Sequence, residues 1–331
     1  MLKRGRCGRG SGYHRGMFSY RHAFHAGNHA DVLKHLTLIA TLAHMTAKST
    51  ALTVIDTHAG AGLYRLDGDF TSTGDEARDG VVKLFSALRG RPQDSTQNPA
   101  QTPVKWTPIA PKDIAPALQQ YLDLIASFNT GGTLKVYPGS PFVIHQLLRP
   151  EARDKLKLFE LHPTDSKTLT ANIAQLEAGR QINVARADGF EALKALLPPP
   201  NRRALVLIDP SYELKTDYAK VSACLQDALK RFATGIYAVW YPVIPRPEAH
   251  ELPRRLKTLA TQAGKSWLQA TLSIGQDPTH GPDDRPGLTA SGMFVINPPH
   301  TLKEALRLAL PQLQAALGRG RGQDHSLLSG G

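Results

Sequence analysis

The chain has 331 residues, 41% of them hydrophobic and 7% aromatic, which is the make-up of a folded globular protein. No apolar run approaches the ~20 residues that a bilayer crossing needs, and the basic N-terminus lacks the apolar stretch of a secretory signal. Two cysteines, Cys7 and Cys224, make neither a disulfide framework nor a zinc pattern, so a cytoplasmic location is expected, and the net charge of +12 suits a phosphate-rich partner.

Residues 1–16 carry Lys3, Arg4, Arg6, Arg9 and Arg15 with no acid and several glycines. They read as a disordered basic extension ahead of Met17, where patterned sequence begins. Apolar positions Val32, Leu33, Leu36, Ile39 and Leu42 predict a helix near 29–47, with Asn28 as its N-cap. A strand follows at 52–56, Leu-Thr-Val-Ile-Asp. It runs directly into Asp56-Thr57-His58-Ala59-Gly60-Ala61-Gly62, where the glycines let the backbone turn tightly and approach a ligand. A G-x-G alone is also an ordinary tight turn. The spacing is not G-x-G-x-x-G and no phosphate-binding lysine follows, which argues against NAD and nucleoside triphosphates. An acid four residues ahead of G-x-G is instead the pattern found where S-adenosylmethionine binds.

Residues 63–150 do not continue the alternation. Two helical stretches, near 75–89 and 114–128, flank a Pro/Gln/Thr-rich segment at 90–113, and the whole reads as a small helical insertion subdomain with a flexible loop. Strands then recur at 156–160, 182–186, 204–208, 235–241, 267–274 and 291–297. Helices fall between them near 163–178, 189–197, 216–232 and 246–263, with a last one near 301–317. The expected fold is α/β, a doubly wound, largely parallel sheet of seven strands built from residues 17–62 and 151–317. The last two strands follow one another without a long helix, as in the class I, Rossmann-like methyltransferase variant of that sheet. From Gly318 to residue 331 the chain is glycine-rich and polar, and a flexible tail is expected.

Three further strand ends carry chemistry. Glu160 closes Leu156-Lys157-Leu158-Phe159, where a carboxylate can accept both ribose hydroxyls of an adenosyl group, and Asp188-Gly189 follows Ile182-Asn183-Val184, where an acid can accept from an adenine amine. Singly, each is as well explained as a surface acid beside a turn. Asp209-Pro210-Ser211-Tyr212 follows the apolar run Ala204–Ile208 and departs by one residue, Ser211, from the Asp/Asn-Pro-Pro-Tyr/Phe signature of enzymes that methylate an amine conjugated to a planar π-system. Such a nitrogen is a poor nucleophile. Asp209 and the Pro210 carbonyl can take its two N–H bonds while Tyr212 holds the base flat. Four residues alone could equally be a strand and a turn. The order glycine loop, ribose acid, adenine acid, Asp-Pro-x-Tyr is what points to an adenosylmethionine site. Asn297-Pro298-Pro299-His300 copies the signature more closely but follows the last strand, far from Asp188, and reads as a rigid turn.

The segment Ser19-Tyr20-Arg21-His22-Ala23-Phe24-His25-Ala26-Gly27-Asn28-His29-Ala30-Asp31-Val32-Leu33-Lys34-His35 strongly resembles the N-terminus of the RlmJ family, bacterial 23S ribosomal RNA adenine-N6 methyltransferases. The likeness continues through Asp56–Gly62, Tyr137–Pro141, Glu160–Pro163, Ala187–Phe190, Trp240–Pro242, Thr289–Met293 and Asn297–Pro299, and spans nearly the whole chain from Met17 to about residue 315 outside the 90–113 loop. It implies S-adenosylmethionine as cofactor, contacted by Lys34, His35, His58, Ser140, Glu160, Asp188, Gly189 and Asp209. It also implies Asp209 as the acceptor at the amine, Tyr20 on the RNA, and action on naked ribosomal RNA; a monomer is expected. Serine in place of the family's proline at 211 puts the stiffness of the catalytic loop in doubt. Rival readings are a DNA adenine or protein glutamine amide methyltransferase, and an inactive RNA-binding protein on the same scaffold. Seven of the 13 histidines precede residue 59, yet no nearby Cys or Glu in sequence completes a tetrahedral set with His22, His25 or His29, so no metal is expected.

Overall fold

The computed structural model describes residues 25–66, 76–89, 113–276 and 287–331. Tyr20, the basic extension and nearly all of the 90–113 loop lie outside the described residues. Helix α1, His29–Thr46, starts where the Asn28 side chain accepts from the amides of Ala30 and Asp31 at 3.0 Å. It is buried almost all round, which is why its apolar pattern is broad. Strand β1, Thr53–Asp56, is followed by a short ribbon of β2, Leu63–Arg65, and β3, Val136–Pro138. A π-turn at Arg78–Val82 leads into α2, Lys83–Arg89, and α3 spans Pro116–Ser127.

The remaining elements are α4 (Ser140–Leu147), β4 (Lys155–Phe159), α5 (Pro163–Ala174), β5 (Ile182–Ala185), α6 (Gly189–Leu196), β6 (Ala204–Ile208), α7 (Lys215–Arg231), β7 (Ile236–Pro242), α8 (Pro247–Gln262), β8 (Trp267–Ile274), β9 (Ala290–Ile296), α9 (Leu302–Leu317) and β10 (Gln323–Gly330). The main sheet runs β10-β8-β9-β7-β6-β1-β4-β5. Strands β1, β4, β5, β6 and β7 are parallel, whereas β9, β8 and β10 join antiparallel. All seven expected strands are present, each within a residue or so of its predicted bounds.

Period-two alternation divides the core between the two faces. On β6, Leu205 and Leu207 pack beneath α1, while Val206 and Ile208 face the layer that holds Leu225 of α7 and Leu256 of α8. A strand buried on both faces reads as an unbroken apolar run, which is what made 204–208 legible.

Two boundaries need correction. The tail expected to be flexible instead forms β10, an eighth strand paired with the whole of β8 from Gln323 opposite Ile274 to Gly330 opposite Trp267. Its sequence is polar because it is a half-exposed edge strand. Among the described residues, the region 63–150 also has no core of its own. Leu84, Phe85, Leu118, Tyr121 and Ile125 pack in the same cluster as Leu33 and Leu36 of α1, and α4 is the crossover helix that carries the chain from β1 to β4.

Candidate functional site

Strand order reverses between β1 and β6: β4 and β5 lie on one side of β1, β6 and β7 on the other. A doubly wound sheet opens a crevice at the carboxyl ends of the strands there. The crevice is a cleft of about 480 Å³, within the range of small-ligand sites. Lys34, His35, His58, Ser140, Glu160, Asp188, Gly189, Asp209, Pro210 and Tyr212 all line it. Asn297 and His300 do not. The Asn297 side chain is spent on the carbonyls of Ala233 and Gly235, at 2.9 and 2.7 Å, fixing a left-handed turn.

The β1 exit is wired to both neighbouring strand ends. Asp56 is fully buried; its carboxylate accepts from Ser140 Oγ at 2.6 Å and from the His58 amide at 3.3 Å. Burial outweighs those bonds and pushes its pKa up to about 6. Gly60, at φ +60°, turns its amide onto Glu160 Oε2 at 2.8 Å, and the His162 amide holds Oε1 at 2.7 Å. A carboxylate oxygen has two lone pairs, so each keeps one for a further donor. Burial also raises Glu160. Asp188 caps α6 through Oδ1, which accepts from Phe190 and Glu191 amides at 2.8 and 3.3 Å. Beside it the ring of His58 meets Phe190 edge-on at 4.8 Å, and burial pushes His58 down to about 4, leaving a neutral imidazole wall.

Across the cleft, Lys34 reaches from α1 to Asp209. Its Nζ lies 2.6 Å from Asp209 Oδ2 and 2.8 Å from Asp31 Oδ1, with only 6% of the lysine side chain exposed. Burial works against this ammonium, but Asp209 and Asp31 together hold its pKa above the ordinary lysine value. His35 stacks on Tyr137 with centroids 5.5 Å apart and shares a hydrogen bond with its hydroxyl at 2.8 Å.

The Asp209–Tyr212 turn is tied down at its far end. Tyr212 sits at φ +54°, a conformation that costs a bulky residue about 1–3 kcal/mol unless its surroundings impose it. Its hydroxyl donates to the Trp240 carbonyl at 2.7 Å, and Arg246 Nη1 donates to its own carbonyl at 3.1 Å. The ring packs on Tyr218 at 4.7 Å. Ser211 is exposed on the same turn. The Trp240 indole N–H on this wall is buried and has no hydrogen-bond partner among the described residues.

Sequence reasoning left three contributors unassigned. Arg246 clamps the turn from the exit of β7, 34 residues away. Asp31 braces Lys34 from one turn earlier on α1, a spacing of i, i+3 visible in the sequence. Glu76, from the insert, accepts from His25 Nδ1 at 2.9 Å and from Asn28 Nδ2 at 3.0 Å, closing the cleft near the start of α1.

Comparison with known proteins places this architecture. A family model described as "RsmJ: Ribosomal RNA large subunit methyltransferase D, RlmJ" matches residues 109–327. The Escherichia coli protein named ribosomal RNA large subunit methyltransferase J is 39% identical over 301 residues, covering 91% of this chain and 94% of that protein. The Haemophilus influenzae protein of the same name is 39% identical over 302 residues with the same coverage. A crystal structure of a Legionella pneumophila protein, 30% identical, superposes with a TM-score of 0.74 and covers 92% of this chain and 98% of that one.

Proposed function

The chain belongs to the ribosomal RNA large subunit methyltransferase J family, and from that membership we propose that it methylates the exocyclic N6 amine of one adenine in 23S ribosomal RNA. The observation that carries the reading is the gathering of Thr57–Gly60, Glu160, Asp188 and Asp209–Tyr212, from four strand ends, around one cleft. When bound there, S-adenosylmethionine supplies an electrophilic methyl group on a sulfonium.

The residues fit that group. Glu160 is already oriented by two backbone amides and has acceptor capacity left for a pair of ribose hydroxyls. Asp188 uses Oδ1 as a helix cap, which leaves Oδ2 for an adenine amine. His58 and Phe190 wall the space between them. Ser140, held from behind by the buried Asp56, forms a polar floor, and Lys34 and His35 close the side toward α1.

The substrate adenine enters from the Pro210–Tyr212 side, rotated out of its stack. Asp209 and the Pro210 carbonyl accept the two N6 hydrogens, drawing the nitrogen lone pair out of conjugation and toward the methyl carbon. S-adenosylmethionine would supply the methyl group to that nitrogen, and the proton that the methylated amine sheds would pass to water beside Asp209 and the Pro210 carbonyl. Tyr212 backs the base; contacts of this kind are worth about 1–3 kcal/mol. Positioning supplies most of the rate effect, and the protein forms no covalent bond. The protein acts as a cytoplasmic monomer on naked RNA, with Tyr20 contacting the nucleic acid.

The deciding assay offers purified protein and labelled S-adenosylmethionine to naked 23S RNA, duplex DNA and a release factor. Label is expected on one adenine of the RNA, at N6. Label on DNA or on a glutamine amide would transfer the assignment to those substrates, and cofactor binding without any product would make the protein a silent RNA binder.

A further inference from the structure

Lys34 is a flexible four-carbon arm, and by itself it cannot hold a carboxylate to a fraction of an ångström. Its ammonium is nonetheless fixed, because it is shared. One donor goes to Asp209 Oδ2 at 2.6 Å and another to Asp31 Oδ1 at 2.8 Å. Asp31 is itself held at both oxygens. It is 2% exposed, stands in the first turn of α1, and its Oδ2 accepts from the Gly27 amide at 2.9 Å. A rigid helix and the turn before it therefore set the place of an ammonium that meets the catalytic loop 175 residues further on.

We propose that Asp31 is a positioning residue for methyl transfer, acting through Lys34 to aim the Asp209 carboxylate. The proposal rests on the functional reading above for the nature of the reaction. With Lys34 shared, Asp209 keeps Oδ2 on the ammonium and presents Oδ1 to the incoming amine. With the charge at 31 removed, the ammonium settles on Asp209 alone. The carboxylate then turns with it and becomes a weaker acceptor. Among the described residues, Asp209 is faced by Lys34, with Asp31 behind it on α1, by Asp56 and His58 at the β1 exit, and by Tyr212 on its own turn. Among these, the charge at Asp31 bears directly on the Lys34 contact. The plainer explanation of an acid at this position is a helix N-terminal charge, which favours the helix whatever stands at 34.

Asp31→Asn keeps the size and the acceptor for Gly27 while removing the charge. The test measures wild type, Asp31→Asn, Lys34→Met and the double variant, with Lys34→Gln replacing Lys34→Met if the latter does not fold. Each is followed by urea unfolding, by calorimetric cofactor binding and by single-turnover transfer to naked 23S RNA. Asp31→Asn is expected to slow transfer about 10²-fold, the effect of misplacing a reacting group by about 1 Å. It is expected to cost nothing further once Lys34 is gone. Wild-type transfer by Asp31→Asn, or the same factor lost with and without Lys34, would overturn the proposal. If wild type binds cofactor yet methylates no 23S RNA, the functional reading fails instead. The coupling between positions 31 and 34 in the unfolding midpoints then decides, additive effects refuting the link.

Discussion

Gly189→Ala is the sharpest test of the proposed cofactor side of the cleft. A methyl group at 189 would stand 2.1 Å from the Thr57 carbonyl oxygen and 2.7 Å from its carbon. Real contacts of this kind do not close below 3.0 Å, so α6 and the β1 exit must separate by about 0.9 Å. Thr57 cannot give way, because its amide and its hydroxyl both bond the Leu207 carbonyl, at 3.1 and 3.0 Å. The movement falls on α6 and carries Asp188 and Phe190 away from His58 and Glu160. Cofactor affinity is expected to drop about 10- to 100-fold, or roughly 1.4–2.8 kcal/mol. The overpacking itself should cost about 1–3 kcal/mol of stability. Titration calorimetry with S-adenosylmethionine, paired with urea unfolding, reads both. A variant that binds within twofold of wild type would show that the approach of α6 to Thr57 does not set the geometry of the site.

Three further outcomes are expected. Ser211→Pro, at an exposed position in the tied-down turn, should preserve or raise the methyl-transfer rate and add about 0.4–1 kcal/mol of stability by restricting the unfolded chain; a slower enzyme would mean that the turn needs serine. Burial raises Asp56 from 3.8 to about 6, so its ionisation costs stability, a cost that begins above 3.8 and is complete beyond about 6. Asp56→Asn should therefore gain on wild type by up to about 3 kcal/mol at neutral pH and little near pH 4, in urea midpoints taken with His58 intact in both proteins; an equal gain at both would refute the assignment. Removing residues 319–331 should lower the unfolding midpoint measurably, since β8 loses a full ladder of hydrogen bonds worth about 1 kcal/mol each. An unchanged midpoint would return the tail to the loose segment its composition suggests.

Sequence was enough for the parallel sheet and the acids at its strand ends. Asp56, Glu160 and Asp209 each close or directly follow a strand-like run and Asp188 comes three residues after one, so local pattern placed them at carboxyl ends and chain order placed those ends side by side. It could not reveal β10, whose residues are too polar to announce a strand and which is ordered by pairing with β8. Nor did it separate α4 from the insert, although Pro141 and the run Phe142-Val143-Ile144 carried the signal of a buried helix. Side-chain contacts between distant segments were decided by the tertiary structure alone. Lys34 meets Asp209 because α1 packs against the sheet that carries β6, and Arg246 meets Tyr212 because β7 lies beside β6. Periodicity reports which face of an element is buried; which charge stands opposite which depends on how the elements pack, and that geometry has no local signature.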